Sequence, residues 1–333
     1  QTGGPEVLSL VERPVPTAGP GEVLVRLHLA GVNPTDWRFR RGTGPGQPTP
    51  YPEVVPGQDG AGVVEAVGEG VTDLAVGQRV WVYLAGWQRA FGTAEEYVAL
   101  DRDRVVALPD SASLELGAFL GVPVLTAHVC LTSPQDWPKR LTPGALQGRT
   151  ILIAGGAGAV GNAAIQLAHW ASATVITTVS GPEKAELARR AGADHVVNYR
   201  EQNAAEAIRA IAPDGVDLIV EVAPTTNAEL NVAVAAPHAT VAIYANETNP
   251  ELTLTVRSSM ILNLTYRFLM LYNVTAAERA DAVAATVEAV AAGAVGVGEG
   301  TGVPLHRYPL EQTADAHAAV EAGVIGKVLL ELA

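Results

Sequence analysis

The sequence predicts an α/β protein in two parts, a β-rich barrel or sandwich followed by a doubly wound parallel sheet. Three observations carry this. Short β-branched runs closed by glycine or proline fill the chain up to Pro109. After Ser113, apolar runs of strand length alternate with segments of helical length. Between the first such strand and its helix stands Gly155-Gly156-Ala157-Gly158-Ala159-Val160-Gly161.

Size and composition fit that division. A chain of 333 residues carries a prior of about two domains. With 48% hydrophobic and 17% charged residues, it buries a substantial core rather than staying disordered. Lys and Arg number 22 against 35 Asp and Glu, a formal charge of −13. That balance argues against nucleic acid or an anionic membrane as the main partner. The one cysteine, Cys130, excludes an intrachain disulfide and a four-cysteine zinc site. It fits a reducing compartment, so a cytoplasmic location is expected. The opening Gln1-Thr2-Gly3-Gly4-Pro5 has no basic or apolar leader pattern. No long uninterrupted apolar run occurs; the strongest, 260–274, is broken by Asn263, Thr265, Arg267 and Asn273 and reads as core.

The elements follow in order. Residues 22–29 alternate apolar and polar positions, and 62–68 and 78–83 are short β-branched or aromatic runs. The stretch 43–56, TGPGQPTPYPEVVP, denies ladder donors and helix continuation, so it is a loop. Leu114 to Leu131 reads as one helix, and a proline-containing connection follows to Gln147. Strands are then expected at 150–154, 174–179, 194–199, 216–222 and 239–244, with helices at 160–171, 183–191 and 204–211. Continuous apolar strands in this βαβ order imply a parallel sheet covered on both faces. Val283, Val287 and Val290 mark a late helix, and 326–332 a closing strand.

Gly156, Gly158 and Gly161 have the G-x-G-x-x-G spacing, with a strand before and a helix after. The first glycine serves the turn, the second the approach of a pyrophosphate, and the third close helix–strand packing. Gly156, Ala157, Gly158, Ala159, Val160 and Gly161 are therefore candidate cofactor residues. An acidic residue at the end of the next strand would bind a ribose 2′-hydroxyl. This chain has Ser180 there and Lys184 one turn on, which suit a 2′-phosphate, so the expected cofactor is NADPH. The competing reading of Lys184 is an ordinary solvated lysine.

The ordered motifs GVNPTD at Gly31–Asp36, PGQDGAGVV from Pro56, GVPVLTA from Gly121, AGGAGAVG, and the tail from Tyr308 through His317 to Gly326-Lys327 resemble the medium-chain dehydrogenase/reductase superfamily. Within it they resemble the zinc-free, zeta-crystallin-like quinone oxidoreductases. The resemblance implies a GroES-like β-barrel catalytic domain plus a Rossmann cofactor domain, divided as 1–118, 119–270 and a return over 271–333. It also implies an NADPH-dependent reductase of a small electrophilic acceptor, a quinone or enone, and a homodimer with 252–272 as a contact segment; core burial is the other reading of that segment. Zinc enzymes of this superfamily have Cys at the Asn33 position and Gly-His-Glu at Gly57-Gln58-Asp59, so no metal is expected.

By the same resemblance, Asn33 and Thr126 belong near the nicotinamide, with Tyr244 beside the ring. Ser180, Lys184 and Tyr199 would surround the 2′-phosphate, and Lys327 would face the cofactor cleft. A turn amide is the other reading of Asn33, and ordinary burial that of Tyr199 and Tyr244. His128 and Cys130 read as helix and packing residues. The family often has Tyr two residues after Asp36; this chain has Trp37 and then Arg38, so these become substrate candidates and Tyr51 a candidate phenol. The connection 131–147 is longer than expected and reads as a cover for the cleft or a subunit edge. The alternatives to quinone reduction are reduction of a conjugated alkene and non-catalytic NADPH binding.

Overall fold

The computed structural model describes residues 1–246 and 251–332. The chain begins with β1 (Glu22–Val32), whose Val23, Val25 and Leu27 are wholly buried. Pro34 opens α1 (Pro34–Arg41), at the position where a missing N–H costs nothing. β2 (Asp59–Val67), β3 (Arg79–Val82), β4 (Tyr97–Asp101), β5 (Val105–Ala107) and α2 (Leu114–Phe119) follow, and the proline-rich stretch before β2 has no regular structure beyond turns.

A second series runs α3 (Leu125–Leu131), β6 (Thr150–Ala154), α4 (Ala159–Trp170), β7 (Thr174–Val179), α5 (Pro182–Arg190) and β8 (His195–Asn198). It continues with α6 (Ala204–Ile211), β9 (Val216–Glu221), α7 (Ala228–Val234), β10 (Ala235–Ile243), α8 (Val256–Leu262), β11 (Thr265–Phe268) and α9 (Ala276–Ala291). The chain closes with β12 (Leu305–Pro309), α10 (Thr313–Glu321) and β13 (Lys327–Glu331).

Two compact units result, one of residues 1–122 with 304–333 and one of 123–303. The first holds a mostly antiparallel seven-stranded sheet in the order β12-β13-β1-β2-β3-β5, with β4 also on β1. Strand β1 is shared: its first residues pair with β4 and its last, Leu29 to Val32, with β13. Register shifts between β1 and β2 bend the sheet around Val25, Leu27, Val64, Val80, Val98 and Leu330.

The second unit is a six-stranded parallel sheet in the order β11-β10-β9-β6-β7-β8. Strand β6 pairs with both β7 and β9, so the order reverses beside it. In such sheets ligands bind at the carboxyl ends of the strands flanking that reversal. Val175, Val216, Leu218, Ile219 and Val241 are fully buried, as continuous β-branched and aliphatic strands require.

Four details differ from the sequence reading. The return to the first unit comes at Pro304, not 271, because α9 buries Ala282, Ala285, Thr286 and Ala289 within the parallel-sheet unit. The single helix expected over Leu114 to Leu131 is split by a π-type turn at Leu120–Val124 containing Pro123, which has no N–H to continue the α ladder. The connection 131–147 is packed rather than draped: Trp137, Leu141 and Leu146 are buried, and the Leu141 N–H donates to His128 Nε2 at 3.3 Å. Within 260–274, Met260, Ile261, Phe268 and Met270 are exposed instead of core: α8 buries none of its residues, and β11, which ends at Phe268, has no second strand neighbour among the described residues.

Candidate active site

In the parallel-sheet unit, β6 runs into the glycine turn and α4. Gly155 takes the left-handed conformation, with φ of +71°, although the G-x-G-x-x-G spacing assigns the turn to Gly156. A Cβ on Gly156 would lie 2.2 Å from Thr177 Oγ1, so this glycine admits β7 instead. A Cβ on Gly161 would lie 2.4 Å from the Gly155 carbonyl oxygen. Gly158 is exposed and a Cβ there would meet only that same oxygen, at 3.4 Å. The Asn162 N–H takes the Gly158 carbonyl at 2.8 Å. The N–H groups of Ala159, Val160 and Gly161 therefore precede the helical ladder, and no side chain among the described residues caps them. Uncapped donors at a helix N-terminus behind an open glycine suit a pyrophosphate. Ala157 is buried beneath the turn.

Beyond the end of β7, the Lys184 ammonium donates to Ser180 Oγ at 3.1 Å. The Tyr199 N–H donates to the Val179 carbonyl at 3.1 Å, which sets this exposed tyrosine beside Ser180. Ser180, Lys184 and Tyr199 thus stand together, with a hydroxyl and an ammonium where a carboxylate would select a free ribose hydroxyl.

At the ends of β9 and β10 the chemistry is different. The Tyr244 N–H reaches the Glu221 carbonyl at 3.2 Å. Burial holds the Tyr244 hydroxyl above its ordinary range, with Cys130 and Glu221 adding to the effect. Thr126, on α3, is buried. Burial lowers His128 to about 4, so it accepts from Leu141 as a neutral ring. The Cys130 thiol is pushed up by burial and is inert packing. Glu221 was not singled out from the sequence. Its signal was available: a carboxylate closing the apolar run Leu218-Ile219-Val220.

In the barrel unit, Asn33 leads into α1 and is buried with both ends of its amide occupied. Its Nδ2 donates to Asp59 Oδ2 at 2.7 Å and the Gly31 carbonyl at 3.3 Å, and its Oδ1 accepts from Lys327 Nζ at 2.7 Å. Lys327 also lies 3.4 Å from Asp59 Oδ2. Asp59 Oδ1 accepts the Val122 N–H at 2.8 Å, and Asp36 Oδ2 the Asn33 N–H at 2.7 Å. Asp36, Asp59 and Lys327 are all sealed from solvent. Burial raises both carboxyls, Asp36 to about 7, and lowers Lys327 against the pull of the two aspartates.

Lys327 therefore lies in the barrel core, bound to Asn33 and Asp59. Asn33 is held as a structural amide with no free donor. Trp37 is half-buried on α1 with the Arg38 guanidinium 5.4 Å from its ring centre. Tyr51 is half-buried on its loop, its carbonyl accepting from the Thr49 hydroxyl.

The two units match two known families. The alcohol dehydrogenase GroES-like domain matches residues 19–110, and the zinc-binding dehydrogenase family matches 159–288. The quinone oxidoreductase of Sus scrofa is 33% identical over 99% of this chain and 95% of its own length. Among solved structures, the Pseudomonas syringae quinone oxidoreductase is 28% identical with a TM-score of 0.82, over 99% of this chain and 97% of that one. The Escherichia coli quinone oxidoreductase complexed with NADPH is 26% identical with a TM-score of 0.81, over 99% and 98%. A GroES-like sheet interrupted by a Rossmann unit defines a medium-chain dehydrogenase/reductase, and the chain belongs to the quinone oxidoreductase family of that superfamily. It is an oxidoreductase.

Proposed function

We propose that this chain is an NADPH-dependent, zinc-independent quinone reductase. NADPH supplies the hydride when bound. The N–H groups of Ala159, Val160 and Gly161 hold its pyrophosphate, and Ser180, Lys184 and Tyr199 take its 2′-phosphate. The observation that carries the zinc-free reading is the Lys327 ammonium on Asn33 and Asp59. A fixed cation with an amide and a carboxylate is no site for a second cation, and zinc favours thiolate and imidazole. The donor set does not fit zinc, whatever the matched family's name. Without a Lewis acid, the favoured acceptors are already electron-poor, which supports quinones.

The test is a steady-state assay with NADPH against a quinone panel and an enone panel, each repeated with chelator. Quinone turnover that survives chelation supports the reading. Enone turnover alone would replace it with alkene reduction, and loss on chelation would reject zinc independence.

A second copy of this chain is the proposed partner. The open edge of β11 carries exposed Phe268, and exposed Val256, Met260, Ile261 and Met270 adjoin it in sequence. An unpaired apolar edge favours strand pairing across a two-fold axis. Sedimentation of the wild type and of Phe268→Asp tests this; a monomeric wild type rejects it.

A further inference from the structure

Glu221 closes β9 and is completely buried. Its carboxylate accepts the Ala223 N–H at 2.6 Å, Asn227 Nδ2 at 3.0 Å and Asn231 Nδ2 at 2.8 Å. Every one of these partners is a neutral donor, which suits an ionised, acceptor-only carboxylate. No lysine or arginine pairs with it among the described residues. A buried charge without a counter-ion is costly, and a glutamine has a single acceptor oxygen, which serves the Ala223 and Asn227 donors alone.

Its place gives that charge something to act on. The 2′-phosphate residues stand at the ends of β7 and β8, in one half of the sheet. A dinucleotide laid across the reversal puts one nucleotide over each half, so the redox-active nucleotide falls to the half that β9 begins. The residue after Glu221, Val222, borders the glycine turn: a Cβ on Gly155 would lie 3.2 Å from Val222 Cγ1. A nicotinamide ring is neutral when reduced and cationic when oxidised. A fixed negative charge behind it binds the two forms differently.

We propose that Glu221 is a buried fixed charge that stabilises the oxidised cofactor relative to NADPH, and so makes the bound NADPH a stronger hydride donor. This rests on the NADPH reading above. The competing account is that Glu221 only clamps the loop at 222–227 and α7. Glutamine separates the two, because it removes the charge while its Oε1 keeps the Ala223 and Asn227 bonds and its amide N–H meets Asn231, whose otherwise unbonded Oδ1 can turn to accept it.

The experiment titrates the full-length wild type and Glu221→Gln with NADP⁺ and with NADPH, following protein fluorescence, after thermal melts establish folding. The NADP⁺ dissociation constant should rise about tenfold while that for NADPH moves less than about twofold. A tenfold change in the ratio is a shift of about 30 mV in the bound two-electron couple. A ratio within about twofold of the wild type overturns the proposal, and so does equal weakening of both forms.

If the variant does not fold, the wild-type ratio is followed from about pH 8 to about pH 5. The 2′-phosphate titrates alike in both cofactors and cancels. Of the side chains around Glu221, Asn227 and Asn231 are uncharged, and burial keeps Cys130 and Tyr244 neutral. A carboxylate raised by burial makes the preference for NADP⁺ decline as pH falls, and a flat ratio overturns the proposal. Failure of the wild type to bind either form rejects the NADPH reading itself, a result distinct from binding with an unmoved ratio.

Discussion

Lys327 Nζ lies 2.7 Å from Asn33 Oδ1, and neither side chain is more than 2% exposed. The contact joins the first residue of β13 to the residue after β1, and it brings an ammonium to two buried carboxyl groups.

Replacing Lys327 by Met leaves Asp36 and Asp59 without a cation in the barrel core. Breaking a buried charge group from one side costs about 3–5 kcal/mol. Urea unfolding of Lys327→Met should show a loss of that order, and Asp59→Asn added to it should recover part. A loss of under about 1 kcal/mol would contradict the assigned geometry.

The Asp36 carboxyl is raised from 3.8 to about 7, chiefly by burial. A raised folded value means that the unfolded chain gives up its proton first as pH rises. The stability from this group is complete below about pH 4 and is lost as pH rises through about 7. Asp36→Asn keeps an acceptor for the Asn33 N–H and should flatten that part of the stability profile. Thermal melts from pH 4 to pH 8 measure it; an unchanged slope in the variant would assign the titration elsewhere.

The three spaced glycines should fail in different ways. Gly156→Ala and Gly161→Ala place a Cβ 2.2 Å from Thr177 Oγ1 and 2.4 Å from the Gly155 carbonyl oxygen. Such overpacking costs about 1–3 kcal/mol or more, read as a lower melting temperature. Gly158→Ala meets no tight contact and should fold normally while weakening NADPH binding about tenfold or more. Melting and cofactor titration side by side separate the two classes.

Lys184→Ala removes the ammonium that bridges to Ser180. Hydrogen bonds to a charged group contribute about 1.5–3 kcal/mol. The preference for NADPH over NADH should fall at least about tenfold, with NADH binding little changed. Equal loss for both cofactors would place Lys184 outside the 2′-phosphate site.

The parallel-sheet unit was the more legible half, because its strands are continuous apolar runs and its glycine spacing has a geometric reason. The adjacency of Ser180 and Lys184 was readable for the same cause, since they occupy fixed offsets from a strand end. The turn glycine was misassigned by one residue, because spacing alone does not say which glycine takes the positive φ. The contacts of Lys327 were not legible, for a deeper reason. Its partners Asn33 and Asp59 are distant in sequence, and only the pairing of β13 with β1 brings them together. The segment 260–274 looked like core because apolar composition reveals neither that a helix such as α8 stays uncovered nor whether a strand has one neighbour or two. Glu221 was passed over because a polar residue at the end of a buried strand weakens the apolar pattern without showing what it serves.

The pairing of Leu29 with Glu331 and of Val32 with Val328 has a consequence for the order of synthesis. A growing chain makes the first five strands of the barrel early, then the whole parallel-sheet unit, and only after it the strand that covers the edge of β1. Local contacts within the inserted unit let it mature during translation, whereas the barrel waits on the most distant pairing in the molecule. Until β13 arrives, the nascent barrel has both an open hydrogen-bonding edge and two carboxyl groups without their ammonium. A chain that lacks β13 is thus marked twice, by an unpaired strand edge and by an unbalanced charge.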